Sequence, residues 1–264
     1  MLKTVFSIGS ERSNTDTLLI ELGQDYCVYG YLNLESKTFG QIRYMAFEEW
    51  EAEEKLGPIL DQLREENQGQ VIVCSAYSQA LLLPQNYFNN YALLSIYESP
   101  SQKHFHDSIE RWQMVNAYSL PSSIYEIVEE RFSPAQYLHV YTTGLKVNNG
   151  FGAPDQIELC FTTQFFRVLV KKNNEIYLAQ TYAYKTPLDV VYFLLKICYE
   201  LQLNQSLVVL IISGLVDQDS ALYQELHHYF LNLNFTQEPL YVLPENEHPH
   251  YYFNSLYNLA ACVS

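Results

Sequence analysis

Two stretches of this chain carry the same order of elements, and that repetition limits what it can fold into more than any other feature. A strand, a turn, two further strands, a helix and a strand run from Asp16 to Ser75, and a similar series runs from Asp155 to Ser213. Setting Asp16 on Asp155 places Ile20 on Leu159, Tyr26 on Phe165 and Tyr31 on Val170, with Ser75 almost in step with Ser213. A repeated unit of this size predicts two similar lobes facing each other across a cleft. The expected class is α/β with mixed sheets. An N-terminal lobe covers residues 1–149, enlarged by an extension at about 77–149, and a C-terminal lobe covers residues 150–264.

The local patterns support that division. Residues 1–15 are polar and read as a loose arm. Strands are expected over residues 17–23, 26–33 and 39–47, from apolar runs broken by turn residues. Residues 48–67 read as a helix with acidic first turns, which suits its dipole, and Gly57-Pro58 is expected to kink or split it. Residues 70–75 form a short apolar run of the kind found in central strands. The segment around Tyr87 to Tyr97 is polar and aromatic. A strand (111–118), a helix (122–131) and a strand (137–142) follow, and the glycines and asparagines of 147–154 mark the boundary between halves. In the second half, strands are expected at 157–163, 165–171 and 175–184. Thr186-Pro187 opens a helix through Leu203, with Thr as cap and Pro in its first turn. Residues 207–212, Leu-Val-Val-Leu-Ile-Ile, read as a buried strand parallel to its neighbours because a helix precedes it. A helix at 220–232, a strand at 240–243 and a closing helix at 251–262 complete the chain.

Composition excludes several classes of function. Fifteen Lys and Arg against 30 Asp and Glu give a net charge of −15, and no basic cluster is present to neutralise phosphates. Nucleic-acid binding and attraction to anionic membranes are therefore not expected, whereas a protein partner is. No stretch approaches the roughly 20 apolar residues that a membrane span needs. Five cysteines without CxxC spacing read as reduced thiols, which places the protein in the cytoplasm. The 23 tyrosines suit half-buried sheet faces and contact surfaces.

Three antiparallel strands, a helix, a strand and a helix, occurring twice, resemble the actin-like ATPase superfamily with its ribonuclease H-like βββαβα lobes. Glu21-Leu22-Gly23, Ser213-Gly214-Leu215 and the tail Phe253-Asn254-x-Leu256…Leu259-Ala260 are similar to an uncharacterised Bacteroides-type family within it. That family is related in pattern to actin-like pilus-assembly and cell-division proteins. The resemblance implies an Asp-x-Gly turn after the first strand of each lobe, clasping nucleotide phosphates and positioning Mg²⁺. Here the first turn offers Glu21 and Gly23, with a carboxylate one methylene longer. At the matching positions of the second lobe stand Cys160 and Thr162, followed by Thr163, so both the acid and the glycine are missing. A glycine pair expected beneath adenosine is reduced to Ser213-Gly214. Asp217 and Asp219 beyond it read as caps of the following helix.

No Walker A, Gly-x-Gly-x-x-Gly or Gly-x-Ser-x-Gly motif occurs. His104-Phe105-His106 and His248-Pro249-His250 could ligate zinc, with Asp107 completing or orienting such a site. Spacing alone is a weak signal, and histidines in a polar loop such as 248–250 are commonly just solvated, so no metal site is the preferred reading. Glu51, Glu53, Glu54, Glu65 and Glu66 read as a solvated helix face, and Tyr141–Gly144 could bind a small ligand, though a turn explains it equally well. No metal and no catalytic residue is assigned. The expected function is a pseudo-ATPase: an actin-like scaffold with degenerate cleft positions at Glu21, Gly23, Thr162, Thr163, Ser213 and Gly214, no cofactor, and a protein partner that includes a second copy of itself as an option. The competing expectation is an ATPase or small-molecule kinase that uses Mg·ATP.

Overall fold

The computed structural model describes residues 2–10, 13, 16–67, 69–88, 101–147 and 155–263. The chain divides into two compact units. The first comprises Met1–Val147, Pro239–Glu247 and Leu256–Ser264, and the second comprises Asn148–Glu238 and His248–Ser255. The boundary expected within 147–154 lies, beyond Val147, outside the described residues, as does most of the 87–97 segment.

In the first unit the strands β1 (Lys3–Ile8), β2 (Thr17–Leu22), β3 (Tyr26–Asn33), β4 (Thr38–Ala46), β5 (Val71–Ser75) and β9 (Gln136–His139) form one sheet in the order β1-β4-β3-β2-β5-β9. Helices α1 (Ala52–Glu66) and α2 (Ser122–Phe132) close one face. Leu18, Ile20 and Leu22 of β2 meet Leu56, Leu60 and Leu63 of α1 and Ile124 and Val128 of α2 in a single core. The second unit carries β10 (Gln156–Phe161), β11 (Phe165–Lys172), β12 (Glu175–Ala183), β13 (Val209–Gly214) and β14 (Asn232–Phe235), ordered β12-β11-β10-β13-β14. Its helices α4 (Pro187–Glu200) and α5 (Ala221–Tyr229) bury Val190, Leu194 and Leu226 against Leu159, Phe166 and Leu210. Both sheets thus place the first strand of the repeated unit, β2 or β10, between its antiparallel hairpin partner and a parallel strand that follows a helix. One offset of 139 residues carries the pair Glu21↔Cys74 onto Cys160↔Ser213, so Ser75 matches Gly214 rather than Ser213.

The stretch 77–149 separates into two parts. A three-stranded sheet, β6 (Ala80–Pro84), β8 (Met114–Pro121) and β7 (Gln102–Ile109) in the order β6-β8-β7, is inserted after β5. From α2 onward the chain rejoins the lobe, with β9 parallel to β5 as β14 is to β13.

Several elements differ from the sequence expectation. The first residues are not a loose arm: Phe6 and Ile8 are 5% and 6% exposed, and β1 pairs antiparallel with β4. Helix α1 continues through Pro58 instead of splitting there. Residues 137–142 start as β9, but from Val140 the chain is helical as α3 (Val140–Val147), so Tyr141–Gly144 is not a turn. Residues 240–243 make only an isolated bridge, Thr38 to Val242. The helix expected over 220–232 ends at Tyr229 and gives way to β14. The closing helix α6 spans Asn254–Val263.

Candidate functional site

The first hairpin turn is built around a tyrosine. Gly23 N–H donates to the Tyr26 carbonyl across the β2–β3 turn at 2.9 Å. A Cβ added at Gly23 would lie 2.1 Å from Tyr26 Cε1, so the ring rests directly on the bare α-carbon. The Tyr26 hydroxyl donates to Glu21 Oε1. The ring also stacks on Tyr44, with centroids 5.1 Å apart and planes at 10°. Glu21 is 1% exposed and Tyr26 3%. The acid and the glycine of this turn are therefore both engaged by one side chain five residues after the acid.

The second turn, between β10 and β11, repeats the backbone bond: Thr162 N–H donates to the Phe165 carbonyl at 2.8 Å. Here the side chain closes the turn as well. Thr162 Oγ1 donates to the Phe165 carbonyl at 3.0 Å and accepts from Phe165 N–H at 3.2 Å. The Tyr184 hydroxyl donates to the Thr162 carbonyl at 3.0 Å. Thr163 follows on the exposed tip. At the acid position Cys160 Sγ accepts from Arg167 Nη2 at 2.9 Å, and the same nitrogen donates to Ser255 Oγ at 3.1 Å. A guanidinium at that point disfavours a cation bound beside it.

Thr162 and Ser213-Gly214 come together within the second unit, because β10 and β13 run parallel in register. Their chemistry is internal. Ser213 Oγ donates to the Leu159 carbonyl at 2.9 Å, and Leu215 N–H donates to the Phe161 carbonyl at 2.9 Å. Gly214 has φ of +81°, and a Cβ there would lie 2.1 Å from the Phe161 carbonyl oxygen. The glycine is required by strand-to-strand approach and by its left-handed backbone. The following acids are not the helix cap: Ser220 Oγ accepts from Tyr223 N–H at 3.2 Å, and Asp217 Oδ1 accepts from the Tyr252 hydroxyl.

The histidine pairs are dispersed. His104 and His106 share one face of β7, while Asp107 points to the other, where it accepts from Thr142 Oγ1 at 2.7 Å and from His139 N–H at 3.0 Å. Asn116 Nδ2 donates to Thr142 Oγ1 at 3.1 Å. His139 Nδ1 accepts from Tyr141 N–H at 3.2 Å, so its other nitrogen carries the proton donated to the Tyr77 carbonyl at 3.0 Å. Burial raises the Asp107 pKa, against the pull of its hydroxyl and amide donors. This polar seam, which joins the inserted sheet to α3, had no signature in the sequence. His250 bonds the Thr236 carbonyl at 2.7 Å, and His248 stacks on Tyr252. Among the described residues no group of three or more His, Cys, Asp or Glu side chains is placed to hold a metal ion. Glu51, expected on a solvated face, is 7% exposed and accepts from Glu48 N–H at 3.3 Å.

Solved structures share this fold. A Bacteroides thetaiotaomicron protein with actin-like ATPase fold and unknown function superposes with a TM-score of 0.76 at 16% identity, covering 95% of this chain and 97% of that one. The PilM–PilN type IV pilus biogenesis complex matches with a TM-score of 0.57 at 10% identity, over 95% and 99% of the two chains. The ethanolamine utilization protein EutJ from Carboxydothermus hydrogenoformans matches with a TM-score of 0.50 at 8% identity, over 96% and 92%. At these identities the likeness is one of fold, and it defines the class: this is a protein of the actin-like ATPase fold. Within that class the chain belongs to the family described as "protein of unknown function (DUF3822)", whose model matches residues 7–233. No curated protein matches the chain. Among the described residues no helix is long and apolar enough to cross a membrane.

Proposed function

We propose that this chain is a pseudo-ATPase: an actin-like scaffold, arisen by duplication of one lobe, that engages another protein and works in the cytoplasm without nucleotide. The observation that carries the proposal is Tyr26. For a phosphate to reach the Gly23 backbone, the phenol ring must leave a site where it is 3% exposed and stacked on Tyr44. For Glu21 to position Mg²⁺ or its waters, its carboxylate must release the same ring's hydroxyl. The second turn offers a thiol, Cys160, bonded to a guanidinium, in place of a carboxylate. Thr162 and Gly214 use their polar and backbone groups within the sheet. These residues do not suit a magnesium-bound triphosphate, and phosphoryl transfer depends almost wholly on such positioning. The PilM structure is of a related fold in complex with a protein partner, which supports protein binding as a use of the lobes. Five free thiols support a reducing compartment.

Titration calorimetry with Mg·ATP and Mg·GTP tests the proposal. The expected result is no saturable heat up to millimolar nucleotide. Micromolar binding that Glu21→Ala abolishes, in a variant that still unfolds cooperatively, establishes the competing nucleotide-dependent enzyme instead.

A further inference from the structure

We propose that the outer face of the inserted sheet holds a binding site for a small, uncharged, largely apolar molecule carrying one hydroxyl, with Gln102 and His104 of β7 as its hydrogen-bond partners. The site lies within the first unit. It goes beyond the scaffold reading, since it needs neither of the two turns nor a protein partner.

The register of the three strands assigns the faces. Leu81 of β6 pairs with Ala117 of β8, and Ala117 and Ser119 pair with His106 and His104 of β7. Side chains alternate along a strand and cross-strand partners share a face, so Leu81, Leu83, Ala117, Gln102 and His104 stand on one side. Phe105 and Tyr118 take the other, where they join the core of the lobe. A sheet face turned away from the core ordinarily carries polar side chains in contact with water. Here it is apolar at Leu81, Leu83 and Ala117, all three are half-buried, and with Phe88 they line a cavity of about 110 Å³.

Gln102 and His104 line the same cavity. Gln102 Oε1 and His104 Nε2 are shut off from solvent and have no hydrogen-bond partner among the described residues. Buried polar atoms are nearly always satisfied, because an unmade bond leaves the desolvation cost uncompensated. The two residues are neighbours on one face of β7, so one guest can meet both. Gln102 Oε1 only accepts, and a neutral imidazole nitrogen donates or accepts according to its tautomer. A hydroxyl does both and so suits the pair. A single water needs only about 10–15 Å³, which would leave most of this apolar-walled space unfilled.

Charge and volume narrow the guest further. None of the described residues lining the cavity is Asp, Glu, Lys or Arg, so a charged guest would lose its hydration without gaining a counter-ion. An apolar cavity of about 150 Å³ takes up benzene. The volume of about 110 Å³ here therefore limits the guest to one ring or a chain of similar bulk.

Ligand-observed NMR and calorimetric titration of the full chain with p-cresol, toluene and benzoate, without nucleotide, test the proposal. The expected result is saturable millimolar or tighter binding of p-cresol and none of benzoate. Toluene, which lacks the hydroxyl, should bind about tenfold more weakly, the worth of one good hydrogen bond. Combining His104→Leu with Gln102→Met should erase that preference and leave toluene binding in place. Ala117→Leu, which fills the cavity, should abolish binding of both. The wild-type chain decides without any variant: no saturable p-cresol binding at millimolar concentration, or p-cresol no tighter than toluene or benzoate, overturns the proposal. So does a preference that survives the double variant, or binding that Ala117→Leu leaves unchanged.

Discussion

Replacing Tyr26 by phenylalanine removes one hydroxyl from the first turn and leaves the ring. That hydroxyl donates to a carboxylate that is 1% exposed. Hydrogen bonds to charged groups contribute about 1.5–3 kcal/mol, so Tyr26→Phe should cost an amount in that range. Tyr26→Ala removes the ring as well. The stack on Tyr44 is lost, and so is the contact that fills the space over Gly23. Large-to-small changes of buried aromatics cost about 3–5 kcal/mol. Urea denaturation followed by tryptophan fluorescence measures both, because the two tryptophans, Trp50 and Trp112, lie in the first unit. An unchanged m-value with a lowered midpoint is the expected pattern. A cost below about 0.5 kcal/mol for Tyr26→Phe, the range of ordinary surface substitutions, would refute the claim that the hydroxyl and Glu21 lock the turn. On the pseudo-ATPase proposal Tyr26→Ala should also fail to create nucleotide affinity, and saturable Mg·ATP binding by that variant would overturn it.

Gly214→Ala should destabilise the second unit by at least about 1–2 kcal/mol from the left-handed backbone alone, with more from the contact with the Phe161 carbonyl; thermal unfolding by circular dichroism, or failure to express folded protein, reports it. Burial, and secondarily the charge of Glu21, pushes the Cys27 thiol up to about 12 from 9.0. Since the thiolate is the reactive form, Cys27 should resist a thiol reagent near pH 8 in the folded protein and react once urea unfolds it. The same shift sets a sign for stability. Above pH 9.0 the unfolded thiol loses its proton while the folded one keeps it, so stability should fall as pH rises from 9.0 towards about 12.

The repeat was legible because β-strand alternation and the offset between lobes survive in residues such as Ile20/Leu159 and Tyr26/Phe165. The positions of the two turns were legible for the same reason. What occupies them was not: the contact of Tyr26 with Gly23 and Glu21 exists only once the hairpin folds back. A glycine three residues before a buried tyrosine was the one available hint. The first residues of α3 read as the end of a strand because Val140 and Thr142 are β-branched. Burial of Val140, Tyr141 and Leu145, and the bond from Trp112 Nε1 to the Leu145 carbonyl at 3.0 Å, override that preference. Strand β14, Asn-Leu-Asn-Phe, is too short and polar to announce itself, and parallel pairing with β13 makes it a strand. Strand β1 shows little alternation, with Val5 and Phe6 adjacent, and it is pairing with β4 that buries Phe6 and Ile8.

The seam under the inserted sheet sets how that sheet can be carried. Beside the apolar packing of Tyr118 and Leu120, Asp107, Thr142, Asn116 and His139 make a directional joint, each donor fitting one acceptor. Slipping by a residue would leave the Asp107 carboxylate away from its hydroxyl and amide donors in a buried place, at a cost that side-chain repacking cannot recover. The insertion therefore travels with its lobe as a rigid attachment, and anything that grips it also grips the lobe.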